Sequence, residues 1–259
     1  PSTMSPEMKP DIATARPYEG LAPIYDHVMR HVDYVHWANH VQSLRRRHGG
    51  DTRHLLELAC GTGNVACALA AQGCAVTGYD ASEEMIRVAQ EKALAHGDLL
   101  RFEVGDLRDL GDIGPFDGAI CLYDSLNYLL SLADVELALG QVYDVLTPGA
   151  VFIFDVCTEC NSMQHFCDVR DTERGPGFVY SRHSFYDADE RLQFNSFDIR
   201  FEDGSRRQEK HVQRIYHHAD LVACIDAGPF DLLEALDGFT RQRGSEASDR
   251  VHFVLRRPA

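Results

Sequence analysis

The chain has little of what marks membranes, metals or nucleic acids. No apolar run approaches the ~20 residues that cross a bilayer, so no membrane span is expected. The N-terminus lacks a basic stretch followed by an apolar one, so a secretory leader is not expected. Basic residues are outnumbered, 25 Lys and Arg against 40 Asp and Glu, for a formal charge of −15. That balance disfavours strong binding to nucleic acid or anionic lipid, both of which need a basic surface. Arg45-Arg46-Arg47 is a compact basic run, but it reads as the last turn of a helix, where cations suit the dipole. The eight cysteines include only one C-x-x-C, Cys157 to Cys160. A structural zinc site needs four ligands, so no metal is expected. Without a leader the thiols are expected to be reduced and the protein cytoplasmic. There is no H-E-x-x-H, P-loop or G-x-S-x-G pattern and no internal repeat.

What is present centres on Leu55-Leu56-Glu57-Leu58-Ala59-Cys60-Gly61-Thr62-Gly63. An apolar strand carries an acid, a glycine turn follows, and an Ala-rich helix begins. Gly61 and Gly63 let the backbone approach a ligand closely. The helix start offers free N–H groups and a positive dipole end. A pyrophosphate would gain nothing from Glu57, whereas a cationic cofactor carrying a sulfonium and an ammonium would. The next strand, residues 75–79, ends in Asp80, nineteen residues after Gly61, where doubly wound folds bind ribose hydroxyls. A third strand, 100–104, leads into Gly105-Asp106-Leu107. Three successive strands therefore place an acid at or near the carboxyl end, which is where open α/β sheets bind ligands. A nicotinamide dinucleotide is the alternative ligand, because Gly61-x-Gly63-x-x-Ala66 also fits its fingerprint.

Alternating strands and helices predict a doubly wound α/β sheet with helices on both faces. Helices are expected over 20–31, 33–48, 63–72, 82–96 and 132–146, and strands over 54–59, 75–79, 100–104, 116–121 and 149–156. After Val156 the pattern changes. Residues 178–186, 192–201 and 208–216 read as three antiparallel strands, inserted as a lid. Helix 218–226 and strands 230–236 and 251–256 follow, with 241–249 as a mobile loop. The division expected is a disordered tail over 1–17, a main domain over 18–156 and 217–259, and a lid over 157–216. Pro1-Ser2-Thr3 ahead of Met4 reads as an appended remnant.

This combination resembles the class I S-adenosylmethionine-dependent methyltransferases. The resemblance implies that the Ala59–Gly63 turn holds the methionine part, that Asp80 binds the ribose, and that Asp106 with the Leu107 backbone holds the adenine. Ala81 and Leu122 are expected to complete the cofactor wall. The family often has glycine where this chain has Ala59. Three further stretches are Tyr18 to Trp37, Asp124-Ser-Leu-Asn-Tyr128 and Phe152-Ile-Phe-Asp155-Val156. They resemble the bacterial YqeM-like subgroup, which is similar to amino-sugar N-methyltransferases and glycine N-methyltransferase. The resemblance implies that Tyr18 and Tyr25 close over the methionine end. Tyr128 aligns with a substrate-side position often occupied by histidine.

The cluster after the fourth strand, 122–129, is rich in orienting hydrogen-bond groups. Asp124 and Tyr128 are the catalytic candidates from it; His165 and His183 are further candidates for proton acceptor or substrate anchor. The Asn/Asp-Pro-Pro-Tyr arrangement of adenine and glutamine methylators is absent, as is the Pro-Cys pair of cytosine-C5 enzymes. The expected activity is methyl transfer to nitrogen or oxygen of a small polar metabolite, by a monomer or homodimer. Methylation of RNA or protein, and noncatalytic binding of S-adenosylmethionine or S-adenosylhomocysteine, are the alternatives.

Overall fold

Short apolar runs with side chains alternating between two faces build the centre of the molecule. The structure is a computed structural model and describes residues 17–49 and 53–259. The expected tail up to Arg16 lies outside those residues. Pro17, assigned to the tail from sequence, lies in the wall of the cavity described below.

Seven strands form the main sheet: β1 (His54–Leu58), β2 (Ala75–Asp80), β3 (Leu100–Val104), β4 (Phe116–Cys121), β5 (Leu146–Cys157), β10 (Asp231–Asp237) and β11 (Arg250–Arg256). Their order is β10-β11-β5-β4-β1-β2-β3. β1 through β5 are mutually parallel, and β11 runs antiparallel to both β5 and β10. Alternate residues serve opposite faces. Leu56, Leu58, Phe152 and Phe154 pack on one side, beneath α5 (Leu132–Val145) and α7 (His218–Ala227). Leu55, Val151 and Ile153 pack on the other, with α2 (Tyr34–Arg47), α3 (Asn64–Ala70) and α4 (Glu83–Ala93). Side-chain caps set two of these starts: Ser82 accepts from Met85 N ahead of α4, and Ser131 from Asp134 N ahead of α5.

Between β5 and β10 the chain forms α6 (Glu159–His165) and a second sheet of four antiparallel strands. These are β6 (Asp168–Gly175), β7 (Phe178–Asp187), β8 (Leu192–Phe201) and β9 (Arg206–Arg214), in that order. Three strands were expected here, and α6 was not. β6 is an edge strand of charged, mostly exposed residues, so it carries no period-two apolar signal. The N-terminal helix expected over 20–31 is instead a 3₁₀ turn, Ala22–Ile24, followed by one α turn, α1 (Tyr25–Val28). Pro23 removes an N–H that a longer helix would need. Leu21, Ile24 and Val28 pack against Phe178, Tyr180, Phe197 and Ile199 of the second sheet. The loop expected to be mobile over 241–249 is tied down. Gly244 N donates to Ala235 O at 2.9 Å, and Thr158 Oγ1 donates to Ser248 O.

Among the described residues no helix is long and apolar enough to cross a membrane.

Candidate active site

After β3 the chain returns to place β4 beside β1, opening a crevice at the carboxyl ends of the strands. A cavity of about 680 Å³ lies there, within the usual range for small-molecule sites.

One end is built from β1, β2 and β3 and the turns after them. Ala59 leaves β1 with φ of 51°, a left-handed conformation that costs a residue bearing a Cβ about 1–2 kcal/mol. Gly61 and Gly63, at φ of 55° and 76°, adopt the same region without that cost. A Cβ on Gly63 would lie 2.6 Å from the Phe102 ring, so this glycine serves close packing and does not line the cavity. Asp80 ties the turn to the next helix. Its Oδ2 accepts from Gly61 N at 2.8 Å, and its Oδ1 accepts from Ser82 N at 2.9 Å. Burial raises its pKa, and these two donors oppose the rise. Glu57 is 4% exposed and lines the cavity, and its Oε2 is buried without a hydrogen-bond partner. Burial pushes its pKa to about 8; an Ala66 backbone hydrogen bond opposes the shift and nearby Asp80 adds to it. A buried acid with one unpartnered oxygen, on a residue that lines the cavity, suits a cationic ligand. Asp106 lines the cavity beside Leu107, but Arg108 occupies its carboxylate through Nε at 3.0 Å, a terminal nitrogen at 2.6 Å and the backbone N–H at 2.8 Å. The Arg108 contacts hold the Asp106 carboxyl below its usual range.

The other end is assembled from three distant segments. Tyr18 and Tyr25 come from the N-terminal segment, Tyr123, Ser125 and Tyr128 to Leu130 from the turn after β4, and Val212 from β9. Asp26 fastens the first segment to the glycine turn by accepting from Thr62 Oγ1 at 2.6 Å and Asn64 Nδ2 at 2.9 Å, and by pairing with Lys92 at 2.6 Å. Tyr123 and Asp124 both have positive φ, 63° and 52°. Asp155, fully buried on β5, stabilises this turn by accepting from Tyr123 N at 2.6 Å and Asp124 N at 2.9 Å. Arg250 on β11 pairs with Asp155 and reaches Asp124 at 2.8 Å. Its guanidinium lies over the rings of Trp37 and Tyr123, at 5.5 and 5.2 Å. Trp37 is thereby part of the supporting core. Burial pushes the Tyr18, Tyr25 and Tyr128 phenols well above their ordinary pKa, so all three are neutral hydroxyls.

The cavity lining brings together Tyr18, Tyr25, Glu57, Ala59, Gly61, Asp80, Ala81, Asp106, Leu107, Leu122 and Tyr128. It does not include Asp124. That carboxylate is taken up by Arg250 and by Gln213 Nε2 at 2.6 Å, so it is a brace and not an open proton acceptor. His165 ends α6, and His183 pairs with Asp168 at 2.8 Å; neither lines the cavity. Sequence reasoning missed Glu209 and His211 on β9, which stand behind Tyr128. The available signal was Glu209-x-His211-x-Gln213, three polar residues at period two on the buried face of a strand.

A methyltransferase-domain family profile matches residues 55–149. The chain is 31% identical to the putative methyltransferase YqeM of Bacillus subtilis, over 91% of this chain and 95% of that one. It is 30% identical to a Streptomyces fradiae dTDP-3-amino-3,6-dideoxy-alpha-D-glucopyranose N,N-dimethyltransferase, over 55% of this chain and 57% of that one. A solved S-adenosylmethionine-dependent methyltransferase from Clostridium acetobutylicum superposes with a TM-score of 0.80 at 24% identity, covering 93% of this chain and 99% of that one. The seven-stranded sheet, its acid-tipped strands and the relatives at full length agree, and the chain belongs to the S-adenosylmethionine-dependent methyltransferases, in their YqeM-like group.

Proposed function

We propose that the chain methylates an amine nitrogen on a small polar acceptor. When bound, S-adenosylmethionine supplies a methyl group already activated by the sulfonium charge. The protein's tasks are then to bind, align, exclude water and accept a proton.

In this reading Glu57 faces the cationic part of the donor and becomes ionised against it. Asp80 keeps lone pairs for ribose hydroxyls while it holds the turn at Gly61. Leu107 and Asp106 take the adenine, with Arg108 yielding one of its contacts. Tyr18 and Tyr25 close over the donor's methionine end, Tyr25 standing beside Gly61, and Tyr128 orients the acceptor.

The observation that carries the choice of nitrogen is the neutral wall of the acceptor end. Its hydroxyls have raised pKa values, and the Asp124 carboxylate is committed to Arg250 and Gln213. An alcohol gives up its proton only to a strong base in contact, whereas an ammonium is acidic enough to give its proton to a weak one. The amino-sugar methyltransferase among the relatives is consistent with this, and the charge of −15 weighs against RNA.

The test is turnover to S-adenosylhomocysteine with matched amines and alcohols, including amino-sugar nucleotides and their hydroxyl counterparts, beside an RNA arm. Turnover confined to amines is the expected result. Turnover of alcohols alone, or of RNA alone, would overturn the reading.

A further inference from the structure

A polar chain leaves the cavity wall at its acceptor end and runs beneath the second sheet. The Tyr18 and Tyr128 hydroxyls are 2.9 Å apart. The Tyr128 hydroxyl lies 2.8 Å from His211 Nδ1, and His211 Nε2 lies 2.9 Å from Glu209 Oε2. Glu209 also accepts the backbone N–H groups of Tyr18 at 3.1 Å, Leu21 at 2.6 Å, and Gly20. Because donors converge on it, Glu209 acts as acceptor toward His211. That places the imidazole proton on Nε2 and leaves Nδ1 open. Tyr128 then donates to Nδ1 and accepts from Tyr18. His211 and Glu209 are 2% and 5% exposed. Packing alone does not call for a buried ionisable pair, since apolar residues of similar volume do that as well or better.

We propose that His211, held by Glu209, takes the proton released by the acceptor nitrogen, through the Tyr128 hydroxyl. The proposal rests on the amine reading above. An N–H bond of the bound ammonium breaks, and its electron pair remains on nitrogen as the nucleophilic lone pair. That proton joins the Tyr128 oxygen as the Tyr128 proton passes to His211 Nδ1. His211 becomes a cation beside Glu209, and the proton leaves by the reverse path after product release. Tyr128 is suited to passing a proton and not to keeping its charge, because burial disfavours its phenolate. His211 acts through Tyr128 and is a positioning residue. The titratable groups around this chain are Tyr18 and Tyr25 of the N-terminal segment, Asp80 at the end of β2, Asp124 and Tyr128 of the turn after β4, and Glu209 of β9. From β8 only the Phe197 ring, 5.4 Å away, faces His211 among the ring contacts.

Two readouts test it on the full chain. The first is histidine ¹⁵N NMR with S-adenosylhomocysteine bound, from pH 6 to 9. Expected is a neutral Nε2–H ring at the upper end, whose Nδ1 resonance moves in Tyr128→Phe. An Nδ1–H tautomer, or a ring doubly protonated throughout, overturns the relay whether or not any acceptor is found. The second is the pH–rate profile on the best amine from the panel, with dTDP-3-amino-3,6-dideoxyglucose as the starting probe. His211→Gln is expected to lower kcat on the order of 10²-fold near pH 7. That deficit should shrink as pH nears the pKa of the amine itself, with S-adenosylhomocysteine affinity within twofold of wild type. Tyr128→Phe, which changes shape least, should behave the same way. A deficit equal at every pH overturns the proposal, as does loss of S-adenosylhomocysteine binding in both variants. Failure of every amine in wild type would instead sink the amine reading and the relay with it, while a wrong tautomer with working amines would sink the relay alone.

Discussion

The two ends of one cavity are built by different means. The end proposed for the donor draws chiefly on Glu57 to Arg108, a single continuous stretch in which each strand delivers one acid at or near its carboxyl end. The end proposed for the acceptor draws on the N-terminal segment at Tyr18 and Tyr25, on Tyr123, Ser125 and Tyr128 to Leu130, and on Val212, with Glu209 and His211 behind them. The first is a local property of consecutive βα units. The second exists only once an inserted sheet and an N-terminal segment have docked. A fixed ligand can be served by local geometry, while a variable acceptor is served by parts that can change independently of the donor site.

The junction between the ends offers the hardest test of that contrast. Asp155→Ala removes the acceptor for two strained N–H groups and a partner of Arg250. Urea unfolding should register a loss of about 3–5 kcal/mol, the range for breaking a buried pair. A loss under about 1 kcal/mol would mean that the turn holds without the clamp.

Next in size, calorimetry should separate the two ends. Asp80→Ala should weaken S-adenosylmethionine binding by about 1–3 kcal/mol. Tyr128→Phe should leave it within a few tenths. Equal losses would abolish the distinction.

A third test uses pH. Glu57 is raised from 4.5 to about 8 in the ligand-free protein. An acid raised by folding binds its proton more tightly in the native state, so native stability falls as pH climbs from about 4.5 to 8. A cationic ligand reverses the preference and expels that proton. Donor affinity should therefore rise with pH up to about 8, by no more than tenfold per unit for one proton. Calorimetry in buffers of different ionisation enthalpy counts the proton released, and Glu57→Gln should abolish the release.

The smallest effect concerns Ala59. Ala59→Gly should raise stability by about 1 kcal/mol in thermal unfolding, by relieving its positive φ. No gain would mean that the lost chain entropy cancels the relief.

The same contrast explains what the sequence reveals. Glu57, Gly61, Asp80 and Asp106 are legible because their spacing follows from strand and helix lengths, and all four fall on the crevice. The core strands are legible because their short apolar runs alternate with helices and glycine- or proline-bearing turns. Asp124 misleads because a carboxylate at a strand end looks available until Arg250, 126 residues away, is seen to take it. His211 stays hidden for the converse reason: in sequence it is one histidine among 13, and its partners Tyr128 and Tyr18 come from elsewhere in the chain. β6 stays hidden because an exposed edge strand buries too little to leave a pattern.

The N-terminal segment touches everything that matters. Asp26 grips the glycine turn, Leu21 and Ile24 enter the core of the second sheet, and Glu209 gathers the N–H groups of Tyr18, Gly20 and Leu21. A ligand that binds against a segment fastened in this way shifts the affinity of a second ligand bound against it. Whatever free energy one ligand contributes to fixing that segment need not be contributed by the other. By linkage the benefit is the same in both directions. The coupling would run through residues 18–28, which bridge the glycine turn and the second sheet.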